Sequence, residues 1–195
     1  RIGGEFSIYN ALCAASCAVA LGFPIMTVTQ ALTEFSGVKG RAESVPTGRN
    51  FHVIIDYAHT PDGLQNILET FKNVPHGRIV ALFGCGGDRD RTKRPIMGRV
   101  AAQFSDFMIV TSDNPRTENP SAIIKDILGG IKDTKTPYVV IENRVEAIKY
   151  AIAHAKADDI IILAGKGHET YQILNTGTIH LDEREIVKEA LEEVK

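Results

Sequence analysis

The sequence is poor in everything that would tie it to a membrane, a nucleic acid or an oxidising compartment. Its longest apolar run, 11–23, is broken by Ser16, Cys17 and Gly22 and is too short to span a bilayer. Nor does it carry the basic flank and cleavage pattern of a secretory signal. Lysine and arginine (22) do not outnumber aspartate and glutamate (24), so a net charge of -2 offers no electrostatic footprint for nucleic acid or an anionic membrane. Only three cysteines occur, and Cys13, Cys17 and Cys85 stand in no metal-ligand spacing, which points to free thiols in a reducing compartment. The GxxxxGK[ST] phosphate loop is absent from all 195 residues, as are internal repeats and low-complexity segments. No methionine precedes the opening Arg-Ile-Gly-Gly, which leads us to expect a portion of something longer.

What is present is ordinary globular composition, 44% hydrophobic and 24% charged, with room for one domain and a small appendage. Residues 7–21 read as a helix of small and apolar residues stopped by Gly22, and 28–35 as a second helix capped by Thr27. The stretch 37–50, with Gly37, Gly40, Pro46 and Gly48, reads as a linker. The expected division is therefore a helical segment and linker over 1–46 and a domain over 47–195.

Within that domain short, β-branched apolar runs at 52–56, 78–83, 107–111, 138–141 and 159–163 alternate with helices. Those helices are announced by Thr60-Pro61, Asn119-Pro120 and Asp182, residue types that cap or open a first turn. Continuous apolar strands are expected where both faces of a sheet are covered. The alternation predicts an α/β, Rossmann-like, doubly wound and mostly parallel sheet of five or six strands with helices on both faces.

Ligands of such sheets bind beyond the carboxyl ends of the strands. Four of these ends carry dense polar clusters: Asp56-Tyr57-Ala58-His59; Gly84 to Arg89, then Lys93 and Arg94; Ser112 to Arg116; and Gly165-Lys166-Gly167-His168-Glu169. Each has a plain alternative. Asp56 and His59 would serve as helix caps, Asp113-Asn114-Pro115 as a turn, and Glu142-Asn143-Arg144 as a solvated helix start. Gly84, Gly86 and Gly87 would let backbone N–H groups approach an anion, but Arg89 stands where a dinucleotide fingerprint needs its third glycine. Arg89 and Arg116 supply cations and Asp113 and Glu169 anions, which together suit an amino acid, each charge-assisted bond contributing roughly 1.5–3 kcal/mol.

The clusters Asp56-Tyr-Ala-His-Thr-Pro-Asp62, Gly84 to Asp90, Lys93-Arg94-Pro95, Asp113-Asn-Pro-Arg116 and Gly165 to Glu169 occur in the order found in the Mur ligase family, which the chain resembles throughout. Phe6-Ser-Ile-Tyr-Asn10 and Gly40-Arg41-Ala-Glu43 resemble the end of that family's central ATPase domain; Ser7, Ile8 and Ala42 depart from its usual residues. The resemblance implies an ATP-dependent ligase acting through an acyl phosphate. It implies that Arg89, Asp113, Asn114, Pro115, Arg116, Gly165 and Glu169 bind the incoming amino acid. Asn10, Arg41, Asp56 and His59 would face ATP, with Arg41 and His59 the catalytic candidates and Lys93 and Arg94 further phosphate-side cations. Arg116 implies meso-diaminopimelate over L-lysine, because only the former has a distal carboxylate. The remaining implications are a UDP-N-acetylmuramoyl-dipeptide acceptor, Mg2+ held by residues outside this sequence, no metal ligands within it, a cytoplasmic monomer, and no turnover by this chain alone. A lysine-adding relative and a non-catalytic amino-acid-binding module remain the alternatives.

Overall fold

The computed structural model describes residues 5–194, with side chains from Ser7 onward; the Arg-Ile-Gly-Gly opening and the Phe6 side chain lie outside the described residues. The chain forms two compact units, 1–38 and 39–195.

The first unit is a helical pair, α1 (Glu5–Ala20) and α2 (Ile25–Glu34). Gly22, at φ +89°, ends α1 as expected. The second helix starts three residues earlier than Thr27 predicts. The Pro24 carbonyl accepts from the N–H groups of Thr27 (3.0 Å) and Val28 (3.2 Å), so the proline opens the first turn and Thr27 lies inside it.

The second unit is built on a six-stranded sheet ordered β1-β2-β6-β3-β4-β5. Its parallel strands are β2 (His52–Asp56), β3 (Ile79–Phe83), β4 (Phe107–Val110), β5 (Tyr138–Val140) and β6 (Ile160–Ala164). The edge strand β1 (Glu43–Val45), antiparallel to β2, lies within the stretch expected to be linker. Its three residues are too few and too polar to show an apolar period. Every residue of β3 and β6 is buried, as the uninterrupted apolar runs require.

Alternate residues of the strands serve different layers. Val53, Ile55, Val80, Leu82, Ile109, Ile161 and Leu163 pack on α6 (Arg144–Ala153) and α7 (Glu183–Glu193). Helices α3 (Pro61–Lys72), α4 (Lys93–Phe104) and α5 (Pro120–Leu128) cover the opposite face and bury Leu64, Met97 and Ile127 among others. The expected caps form: Thr60 accepts from Gly63 N–H, Asn119 from Ala122 and Asp182 from Arg184. An additional hairpin, β7 (Tyr171–Leu174) and β8 (Gly177–His180), follows β6. No described helix is long and apolar enough to cross a membrane.

Candidate functional site

Because β2, β6, β3 and β4 are neighbours and parallel, their four polar ends share one rim of the sheet. The β3 and β4 loops touch backbone to backbone. Gly87 N–H donates to the Asn114 carbonyl (2.9 Å), and a Cβ on Gly87 would stand 1.9 Å from the Pro115 oxygen. A Cβ on Gly84 would stand 2.4 Å from the Thr111 oxygen. These two glycines are therefore required by loop-on-loop packing, where an anion cradle was expected; the Gly87 donor is already used. Gly86 makes room for Arg116, whose Nη1 would lie 2.9 Å from a Cβ there.

Arg116 adopts φ +54°, a left-handed conformation uncommon outside glycine. Its N–H donates to Ile173 of β7 (3.1 Å), and Nη1 donates to the carbonyls of Gly87 (2.9 Å) and Asn114 (3.3 Å). Arg89, exposed, approaches the same Gly86 with its Cγ 3.8 Å from the Cβ position, and its Nη1 donates to the Asp88 carbonyl. Neither arginine has a carboxylate within ion-pair distance among the described residues. The acidic side is equally local. Asp113 Oδ1 accepts from Asn114 N–H (2.6 Å), and Oδ2 lies 2.6 Å from where a Gly165 Cβ would be. Asn114 Nδ2 donates to Glu169 Oε2 (2.9 Å). The seven residues expected from the sequence — Arg89, Asp113, Asn114, Pro115, Arg116, Gly165 and Glu169 — thus lie on adjoining loops at one rim of the sheet.

A second group forms where β2 ends. Arg41 stacks its guanidinium 4.8 Å from the centre of the Tyr57 ring, and the rings of His59 and His168 lie 4.7 and 5.2 Å from the same ring. Lys93 Nζ donates to the His59 carbonyl (2.7 Å). Gly40, at φ +72°, is pressed against Gly167 and His168, where a Cβ would be 2.1 Å from the His168 nitrogen. Asp56 is committed to fastening this loop: its carboxylate accepts from Ala42 N–H (2.7 Å) and Ala58 N–H (2.8 Å). Burial pushes the Asp56 carboxyl up, against the pull of those two donors and of Arg41. Asn10 is on α1 in the first unit and exposed.

Two expectations are corrected. Arg94 was grouped with the phosphate-side cations, but its side chain has no exposure and pairs with Glu118 (2.7 Å) and Asp126 (2.9 Å). Glu118 in turn accepts from Asp88 N–H (2.7 Å), so the pair braces the β3 loop against the β4 loop. Arg144, expected in solvent at a helix start, is fully buried. It pairs with Glu183 (2.8 Å) and donates to the carbonyls of Ser112 (3.4 Å) and Ala164 (2.9 Å), the residues that immediately precede Asp113 and Gly165. Sequence reasoning also missed Lys166, buried between Asn114 and Glu169. Its place inside a Gly-Lys-Gly-His-Glu loop was the available signal. No cluster of three or more His, Cys, Asp or Glu fit to hold a metal occurs among the described residues.

In sum the rim offers unneutralised guanidinium groups for carboxylates or phosphates and nearby carboxylates for an ammonium. Residues 40–167 match a family model described as Mur ligase, glutamate ligase domain. The chain is 59% identical over 193 residues to UDP-N-acetylmuramoyl-L-alanyl-D-glutamate–2,6-diaminopimelate ligase of Caldanaerobacter subterraneus subsp. tengcongensis, covering 99% of this chain and 40% of that protein. It is 51% identical over 196 residues to the ligase of the same name from Clostridium botulinum, covering all of this chain and 40% of the relative. A solved 2,6-diaminopimelate ligase superposes with a TM-score of 0.76 at 36% identity, covering 98% of this chain and 39% of that one. The chain thus spans about two fifths of the length of the relatives it matches.

Proposed function

This chain belongs to the Mur ligase family, and on that premise we propose that it is the amino-acid-binding portion of an ATP-dependent ligase. That enzyme joins meso-diaminopimelate to UDP-N-acetylmuramoyl-L-alanyl-D-glutamate in peptidoglycan precursor synthesis. In the reaction a substrate carboxylate takes the terminal phosphoryl group of ATP to give an acyl phosphate. The incoming amine then attacks the acyl carbon, its proton is lost, and phosphate leaves as the amide forms. The second unit, 39–195, holds the amine donor, and the helical pair of the first belongs to the tail of the domain that binds ATP. The enzyme works as a cytoplasmic monomer.

The observation that carries this reading is Arg116. Its guanidinium is fixed by two backbone carbonyls and lacks a carboxylate partner, while Asp113 and Glu169 lie on the adjoining loops. A ligand with a carboxylate and an ammonium on the same carbon, at the end distant from the reacting amine, satisfies both halves. L-Lysine would leave the arginine without an anion, which is costly in a half-buried site. Asn114 and Arg89 add donors to the same carboxylate region. Arg41 and His59, with Lys93, meet the phosphates of ATP on this reading, and Asp56 holds the Arg41 loop. The family resemblance adds Asn10, in the first unit, to the residues expected to meet ATP. Stabilising the charge that develops on a transferring phosphoryl group is the role a fixed guanidinium serves best. Mg2+ would shield the phosphates; the family resemblance implies that its ligands lie outside this sequence. Without a phosphate loop, this chain alone is expected to show no turnover.

The test is Arg116→Ala in the full-length enzyme. Loss of a charge-assisted contact of roughly 1.5–3 kcal/mol corresponds to a rise in KM for meso-diaminopimelate of about 10- to 150-fold, with KM for ATP unchanged within twofold. Equal use of meso-diaminopimelate by mutant and wild type, or a wild-type preference for L-lysine, would overturn the substrate assignment.

A further inference from the structure

The side chain of Lys166 is entirely withdrawn from solvent. A buried ammonium is tolerated only where its protons are used. Here Nζ donates to Asn114 Oδ1 (3.0 Å) and Glu169 Oε2 (2.9 Å) and stands 5.6 Å from the centre of the Tyr171 ring, within cation–π range. Asn114 Oδ1 accepts a second bond from Ile173 N–H (2.9 Å), and Asn114 Nδ2 donates to the same Glu169 Oε2 (2.9 Å).

This arrangement removes an ambiguity that asparagine ordinarily has. An amide can present its oxygen or its NH2 in nearly the same volume. Turned over, the Asn114 amide would set its NH2 against the Lys166 ammonium and the Ile173 N–H, three donors with no acceptor between them. Held as it is, Asn114 keeps Nδ2 as a donor, with one proton beyond the one given to Glu169. Glu169 is fixed in a complementary way. Its Oε2 already accepts two donors, whereas Oε1 accepts none among the described residues.

We infer that Lys166 is a positioning residue which sets the polarity of the amino-acid site, fixing Asn114 as a donor toward the ligand carboxylate and Glu169 as an anionic acceptor toward its ammonium. The inference rests on the proposed function and deepens it. It differs from a plain ion pair holding the β6 loop, because it confines the effect of losing Lys166 to one substrate and routes that effect through two named side chains.

The experiment is steady-state kinetics of the full-length enzyme with Lys166→Met and Lys166→Gln. Either variant should raise KM for meso-diaminopimelate at least tenfold, with the glutamine form milder because it still donates to oxygen. KM for ATP and for the UDP-linked acceptor should stay within twofold. In an Asn114→Ala/Glu169→Gln background, adding Lys166→Met should change KM for meso-diaminopimelate less than twofold, since the groups it acts through are gone. An unchanged KM for the amino acid, a parallel rise for all three substrates, or a full tenfold effect in that background would overturn the inference. If the methionine variant does not fold, the glutamine variant is read by the same criteria. A wild-type enzyme that takes L-lysine in place of meso-diaminopimelate would sink the substrate assignment alone, and the same variants read against L-lysine would still decide the role of Lys166.

Discussion

Replacing Arg144 with methionine should be among the most damaging single changes in this chain, although Arg144 touches no candidate ligand. Both side chains of the Arg144–Glu183 pair are fully buried. Arg144 Nε reaches Glu183 Oε1 at 2.8 Å, and the remaining donors hold the Ala164 and Ser112 carbonyls. Glu183 Oε2 accepts no hydrogen bond among the described residues even with Arg144 in place. Methionine fills the space of the stem but leaves a carboxylate in an apolar layer with nothing to pair with. Breaking a buried pair on one side costs about 3–5 kcal/mol, which for a unit of this size lowers Tm by roughly 6–20 °C. Circular dichroism melts of the wild type, Arg144→Met and the double variant Arg144→Met/Glu183→Leu decide the matter. The double variant removes both charges and should recover most of the loss, because well-packed apolar replacements of buried pairs are often neutral. A drop below about 3 °C in the single variant, under ~1 kcal/mol on the same scale, would refute the reasoning. So would a double variant as unstable as the single one.

Two further outcomes can be checked on the same chain. The Arg94 guanidinium holds the Glu118 carboxyl at about 2, well below the ordinary carboxylate range. A depressed folded-state pKa adds stability that is complete above the unfolded value and lost as pH falls toward 2, so Tm should decline over that window, and Glu118→Gln should flatten the decline; identical slopes in the two proteins would dispose of the idea. Burial pushes the Cys85 thiol up to about 12, while Cys13 and Cys17 are exposed; a thiol reagent at pH 8 should therefore count two thiols in the native chain and three in denaturant, and three in the native chain would contradict the burial.

The parallel strands were legible because sheets covered on both faces impose uninterrupted β-branched runs, as in Ile160–Ala164. Helix starts were legible where a side chain and the backbone cooperate over three residues, as at Thr60-Pro61 and Asn119-Pro120. The β1 strand and the β7–β8 hairpin were not. Neither has an apolar period, and β8 is exposed throughout, although Asn175-Thr176 before Gly177 was a usable turn signal. The burial of Arg94 and Arg144 was invisible for a different reason. Their partners lie 24, 32 and 39 positions away, and nothing local to a basic residue tells whether a distant carboxylate will fold onto it.

That distinction also separates the rim's cations by purpose. Arg94, Arg144, Lys166 and Arg184 each meet a carboxylate within 3 Å and are largely or wholly buried, so their charge is spent inside the protein. Arg41, Arg89, Lys93 and Arg116 rest on a ring face or on backbone carbonyls, with no carboxylate in ion-pair range among the described residues. Carbonyl and ring contacts fix where a cation points without cancelling its field, which is the condition for attracting an anion that arrives from outside. The four fall into two pairs, Arg89 with Arg116 around Gly86, and Arg41 with Lys93 around Tyr57 and His59. On the proposed function, two separate anionic groups are held at once, the carboxylate of an amino acid and the phosphates of a nucleotide. Two pairs of uncancelled cations on one sheet edge suit that requirement, with Asp113 and Glu169 on the loops of the first pair, while the carboxylate of the second group, Asp56, is committed to backbone N–H groups of the Arg41 loop.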